Sequence, residues 1–251
     1  MRVRLHDGAV AFTAAADPFF RSDPFSANVV AVVAARVAAS APTGGDDRLW
    51  ATVVDGQDTV RGVAMHTPPH RLFVSRMPPE AAAALAETVA DAERDLPGVN
   101  GACESTAAFA DAWSARTGQT STVVTAMRMY RLGQLRRPRS VPRGVVVAIA
   151  PDDVELVAEW VAAFHDEAVP DGPVEDWFTF AQRLIATEQI RLWRDDGRAV
   201  SLAGVSAPAA GVARVAPVYT PPAERRHGYG TAVTAEATAA AIAAGAEHVV
   251  L

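Results

Sequence analysis

The chain has 251 residues, half of them apolar, a formal charge of −6 at pH 7 and one cysteine. That length accommodates one large domain or two small ones around a substantial core, and an acidic balance with scattered arginines excludes a nucleic-acid-binding footprint. Cys103 alone excludes an internal disulfide and suits a reducing compartment. His6 and Asp7 interrupt any apolar leader, and the most hydrophobic run, Asn28 to Ala39, carries Arg36 and is too short to span a bilayer. The expectation is a soluble cytoplasmic protein that associates with neither membrane nor nucleic acid.

In the first half, Leu49 to Val54, an Asp55-Gly56 turn and Val60 to Met65 read as a β-hairpin. A short strand at Leu72 to Ser75, an Ala-rich helix from Pro79 to Glu93, a strand from Gly98 to Cys103, a helix from Ser105 to Arg116 and a strand from Thr120 to Tyr130 follow. His66 and His70 have metal-like spacing, but Pro68-Pro69 between them prevents the helix that would align them, so no metal is expected. Cys103, with no reactive motif nearby, reads as a buried structural thiol. A basic, Pro-bearing segment, Leu135 to Arg143, interrupts both helical and strand patterns and reads as a linker. The expected organisation is residues 1–134, a linker at 135–143, and residues 144–251.

In the second half, Gly144 to Ile149 reads as a buried strand, and Pro151-Asp152-Asp153 as the first turn of a helix reaching about Phe164, with Val154, Val157, Trp160 and Val161 on one face. Pro173 to Thr187, carrying Trp177, Phe178 and Phe180, reads as a second helix. Ile190 to Arg194 and Ala199 to Ser206 form a hairpin across Asp195-Asp196-Gly197-Arg198, which lacks the further oxygen ligands of a calcium loop. Gly211 to Tyr219 reads as a Val-rich strand, and Thr231 to Ala244 as a helix. Val233 and Ile242 point to opposite sides of that helix, so it is expected to be packed from more than one direction. Glu247 to Leu251 begins another strand, on which the sequence stops; an unpaired apolar strand there is an aggregation hazard, so a shortened second unit is expected.

Between the Val-rich strand and the Ala-rich helix lies Arg225-Arg226-His227-Gly228-Tyr229-Gly230. A strand, a Gly-bearing turn and a helix N-terminus in that order form an anion site, because the first helical amides have no intrahelical acceptor and the helix dipole is positive there. A dinucleotide turn would need G-x-G-x-x-G, and the third Gly is missing. Instead Val215, Pro217, Val218, Tyr219, Arg225, Gly228 and Gly230 resemble the acetyl-CoA signature of the GNAT N-acetyltransferases, departing from it by the longer lead-in Thr220 to Glu224 and by Arg226 where Gly is usual. The order of elements from Arg143 to Leu251 is also similar to that family. The first half repeats the order in worn form: both hairpins are followed by Thr-Pro-Pro, Thr67 to Pro69 and Thr220 to Pro222, but Arg76-Met77-Pro78-Pro79 supplies no glycine and no amide cradle.

The resemblance implies an α+β fold of two GNAT-like units, each a mixed, mostly antiparallel sheet flanked by helices, the first degenerate. It implies acetyl-CoA as acyl donor without a metal, and transfer to a primary amine of a small molecule or peptide; a homodimer is the assembly considered. The implied cofactor residues are Val218, Tyr219, Arg225, Arg226, His227, Gly228, Tyr229, Gly230 and Thr231. The candidate catalytic residues are Glu167 and Asp166 at the end of the first helix of the second unit, and Tyr219. A non-catalytic acyl-CoA-binding regulator and a nucleotide-binding module are the competing readings.

Overall fold

The computed structural model describes residues 1–39, 47–92, 95–170 and 172–251. The chain divides into two compact units, Met1–Arg128 and Met129–Leu251.

The first unit contains β1 (Arg2–Leu5), α1 (Ala9–Ser22), α2 (Asn28–Ala38), β2 (Leu49–Val54), β3 (Val60–His66), β4 (Leu72–Val74), α3 (Pro79–Asp91), β5 (Val99–Gly101) and α4 (Cys103–Thr117). Its sheet runs β1-β2-β3-β4-β5, antiparallel up to β4 and parallel between β4 and β5, with α3 as the crossover. Every residue of β2 is buried, as expected of a central strand covered on both faces. One face packs Leu49, Ala51 and Val53 against Leu85, Ala86 and Val89 of α3 and Phe109 of α4. Trp50 meets Phe12 of α1 at 5.2 Å between ring centroids.

The second unit contains β6 (Val145–Val147), α5 (Val154–Ala168), α6 (Trp177–Ala186), β7 (Ile190–Asp195), β8 (Arg198–Val205), β9 (Val212–Tyr219), α7 (Tyr229–Ala243) and β10 (His248–Val250). The sheet order is β6-β7-β8-β9-β10, with only β9 and β10 parallel. Alternation along β7 divides the core. Ile190 and Leu192 face Val157, Trp160 and Val161 of α5 and Ala181 and Leu184 of α6, whereas Trp193 faces Ala232, Val233 and Ala237 of α7. The residues that α7 turns to this face, Ala232, Val233 and Ala237, are short, so the helix lies close to the sheet.

Several expectations need correction. Thr120 to Tyr130 is not a strand of the first sheet: these residues are exposed and join no ladder, because β-branched composition matches a pleated, half-buried surface only where a sheet edge receives it. Tyr130 and Leu132 instead bond to the outer edge of β10: the Tyr130 amide donates to Leu251 O at 2.9 Å, the Leu251 amide to Tyr130 O at 3.0 Å and the Leu132 amide to Val249 O at 2.9 Å. The expected unpaired end of the second sheet is therefore paired along Val249 to Leu251. β6 is an edge strand with Val145 exposed, not a buried one. α5 continues to Ala168. Ile242 is 45% exposed, so it is not the packed position expected, but buried Tyr229, Ala232, Val233, Ala235, Ala237, Thr238 and Ala241 lie around most of α7, which is packed from more than one direction. Cys103 is exposed, since it opens α4 in a first turn that faces solvent. α3 ends at Asp91, and Glu93, the expected helix end, lies outside the described residues.

The β8–β9 pairing shifts register between Ala203 and Val205, around Gly204. A Cβ on Gly204 would stand 2.5 Å from Ala216 O and 2.8 Å from Pro217 Cδ, with no flexible side chain to yield. Gly204→Val is therefore expected to destabilise the second unit by about 2 kcal/mol or more, read as a lower midpoint in urea unfolding; an unchanged midpoint would contradict this tight strand contact.

Candidate functional site

The site forms where β9 ends. Ser201 of β8, wholly buried, donates its hydroxyl to Tyr219 O at 3.0 Å and lies 2.8 Å from Thr220 Oγ1. Arg225 reaches back, its Nε donating to Thr220 O at 2.9 Å. The chain then turns through Arg226, whose φ of 67° places a non-glycine residue in the left-handed region, the constraint anticipated where a Gly is usual. Gly228 follows with φ 87° as the N-cap of α7. The first helical bond returned to the turn runs from the Ala232 amide to Gly228 O at 3.0 Å, so the amides of Tyr229, Gly230 and Thr231 precede the intrahelical ladder. A Cβ on Gly228 would approach nothing nearer than Pro142 at 3.9 Å, so the turn is open above this residue.

Two clefts meet here. One, of about 400 Å³, is lined by Thr220, Glu224, Arg225, Arg226, Gly228, Tyr229, Gly230 and Thr231. The other, of about 430 Å³, is lined by Phe164, Glu167 and Ala168 from the end of α5 and by Val218, Tyr219, Thr220 and Arg225. Thr220 and Arg225 belong to both. β10 accompanies β9 only along Val212–Arg214, so the end of β9 that faces the second cleft extends beyond its parallel partner.

Glu167 accepts two hydrogen bonds from Arg225 Nη2, each 2.7 Å, and the Arg225 guanidinium carbon lies 5.9 Å from the Tyr219 ring centroid. The Tyr219 ring also packs against Trp160 at 6.1 Å. Asp166, one residue before Glu167, lines neither cleft, and its side chain is 82% exposed. His227 also lies outside the lining; its Nδ1 is 3.2 Å from Glu224 O. Tyr229 is buried and donates its hydroxyl to Asp195 Oδ2 at 2.6 Å, at the end of β7. Arg198 pairs with Glu224 at 2.9 Å. Of the aromatics of α6, Trp177 and Phe180 pack into the core beneath α5, while Phe178 is exposed.

The sequence reading missed Ser201, Thr220, Glu224 and Phe164. Thr220 carried a signal, standing directly after the Val-rich strand; Ser201 carried none, because its partner lies 18 residues away across a sheet pairing.

The architecture defines the class first: an α+β protein of two GNAT-like units, each a five-stranded mixed sheet flanked by helices. Residues 154–251 match the family model described as the Acetyltransferase (GNAT) family. No curated protein matches the sequence. An acetyltransferase from the GNAT family of Colwellia psychrerythraea shares the fold with a TM-score of 0.53 at 7% identity, over 100% of this chain and 88% of its own. A GCN5-related N-acetyltransferase from Kribbella flavida aligns with a TM-score of 0.50 at 21% identity, over 77% of each chain. Rv2747 from Mycobacterium tuberculosis, solved in complex with CoA and NLQ, aligns with 42% of this chain at 16% identity and a TM-score of 0.37, and this chain covers 61% of it.

Hydrogen bonding to the Asp195 carboxylate, followed by burial and the negative charges of Asp195 and Glu224, raises the Tyr229 phenol above the ordinary tyrosine range. Because the folded value is raised, the bond contributes stability while the phenol is protonated and loses it as pH climbs through that raised value. In an alkaline absorbance titration, Tyr229→Phe is expected to remove a phenol transition lying above the ordinary tyrosine range. Loss of a transition within that range instead would show that Tyr229 is not held by Asp195.

Proposed function

We propose that the second unit binds acetyl-CoA and transfers its acetyl group to a primary amine of a small molecule or peptide. The observation that carries this reading is the junction of β9 and α7, where a left-handed turn at Gly228 opens the first amides of α7, with Arg225 and Arg226, onto one cleft. This is a fitting receptor for a pyrophosphate. The family match over residues 154–251 supports the same reading. The second cleft, reached through the shared Thr220 and Arg225, is then the acceptor side.

In the reaction, a neutral amine nitrogen forms a bond to the thioester carbonyl carbon, the C–S bond breaks, and CoA leaves as a thiolate that takes up a proton. The protein must hold the reactants together, remove a proton from the ammonium and stabilise the oxyanion. Glu167 is the carboxylate facing the acceptor cleft and is assigned as ammonium ligand and proton acceptor. Asp166, beside it and solvated, adds negative charge that draws in the ammonium. Tyr219, at the end of β9, borders the reacting centre. Arg226, Tyr229, Gly230 and Thr231 are assigned to the donor side with Gly228, Tyr229 through its amide, whereas Val218 lines the acceptor cleft and His227 neither.

The first unit is proposed as a degenerate copy that does not bind CoA. At its equivalent junction Pro78 and Pro79 have no N–H, and the two preceding amides are already satisfied by hydroxyls: that of Arg76 donates to Ser26 Oγ at 3.1 Å and that of Met77 to Ser105 Oγ at 2.9 Å. Calorimetry is expected to give one CoA per chain; two sites would refute the degenerate reading.

Gly228→Val places a β-branched residue at a positive φ, at a strain of roughly 1–2 kcal/mol, and fills the opening above the turn. It is expected to abolish acetyl-CoA binding while leaving the chain folded by circular dichroism. Unchanged affinity in that variant would remove the basis of the donor-site assignment.

A further inference from the structure

The Arg225–Glu167 pair joins the two clefts, and its chemistry points past static positioning. Arg225 is one of the two cations of the donor turn and Glu167 the carboxylate of the acceptor cleft, yet they bind each other through both carboxylate oxygens. Their side chains are 43% and 50% exposed, so the pair adds little to stability and can be broken at small cost. Arg225 Nε, bonded to Thr220 O, holds the stem of the side chain at the boundary shared by both clefts, so the guanidinium can exchange partners without a change of backbone. Glu224, the carboxylate that lines the donor cleft, is engaged by Arg198.

We propose that Arg225 and Glu167 form an exchange pair, in which a phosphate of the bound acyl donor takes Arg225 and thereby frees Glu167 for the acceptor's ammonium. This rests on the donor-site reading above and adds a coupling between the two sites. A phosphate offers Arg225 Nη2 a charge-assisted acceptor like the carboxylate, with greater negative charge. Once released, the Glu167 carboxylate faces the acceptor cleft with both oxygens open. Before donor binding, an ammonium must compete with a guanidinium already in place. The two ligands then favour each other's binding, and by linkage the effect is equal in both directions.

The test is a double-mutant cycle on CoA affinity, measured by calorimetry with the intact chain, so that no acceptor need be known. Glu167→Gln removes the competitor for Arg225 and is expected to tighten CoA binding about three- to fivefold, the scale of an exposed ion pair. Arg225→Met is expected to weaken binding, and adding Glu167→Gln to Arg225→Met is expected to change nothing further. Unchanged or weaker binding by Glu167→Gln, or an equal gain in the absence of Arg225, would overturn the exchange. CoA binding by the wild-type chain with no coupling in the cycle leaves the donor-site reading standing and removes only the exchange; failure of the wild-type chain to bind CoA removes both.

Discussion

Everything at the site hangs on how β9 leaves its sheet. The Ser201 hydroxyl sits wholly buried between Tyr219 O and Thr220 Oγ1, and from the other side Arg225 donates to Thr220 O. A buried hydroxyl must be satisfied or it costs the fold, so the strand end is held where Ser201 finds its partners. With Tyr219 and Thr220 fixed, only a short stretch of chain remains before α7 begins, and that stretch must reverse direction through left-handed residues. The helix amides are aimed by this geometry rather than by contacts of their own. The anchoring of Tyr229 to Asp195 completes it from the helix side, tying the first turn of α7 to the β7–β8 hairpin.

The legible parts of the sequence were those with local causes. Hairpins announced themselves by Asp-Gly turns, α7 by its alanines, and the turn between β9 and α7 by its glycines, of which Gly228 has a positive φ. Features arising from distant partners stayed hidden. Nothing in Thr120 to Tyr130 says that this β-rich run finds no ladder in the first sheet while Tyr130 and Leu132 bond to β10. Nothing near Cys103 says that it opens a helix on the solvent side. The link of Glu167 to Arg225 spans 58 positions, and sequence alone presented them as members of separate motifs. β1, α1 and α2 were also unread; in α1 the buried aromatics Phe12, Phe19 and Phe20 form a face without a strong punctuating signal.

The two units show how one order of elements supports different surfaces. In the first, the junction before α3 is closed by its own chemistry: prolines remove donors and Ser26 and Ser105 consume the amides that remain. In the second, a left-handed turn leaves the corresponding amides open. The difference lies in a handful of positions between a strand and a helix, while both sheets keep the same strand order and the same parallel final pair.

The bonds from Tyr130 and Leu132 to Leu251 and Val249 also bear on how the second unit forms. They join the beginning of this unit to its last described strand, so nearly the whole unit is the loop that they close. Loop-closure entropy grows slowly with length, by about 0.6 kcal/mol per doubling, but contacts of such separation are rewarded only after the intervening sheet has assembled. The long-range closure thus belongs to the segment around Arg131, whereas β10 reaches β9 by the short crossover through α7.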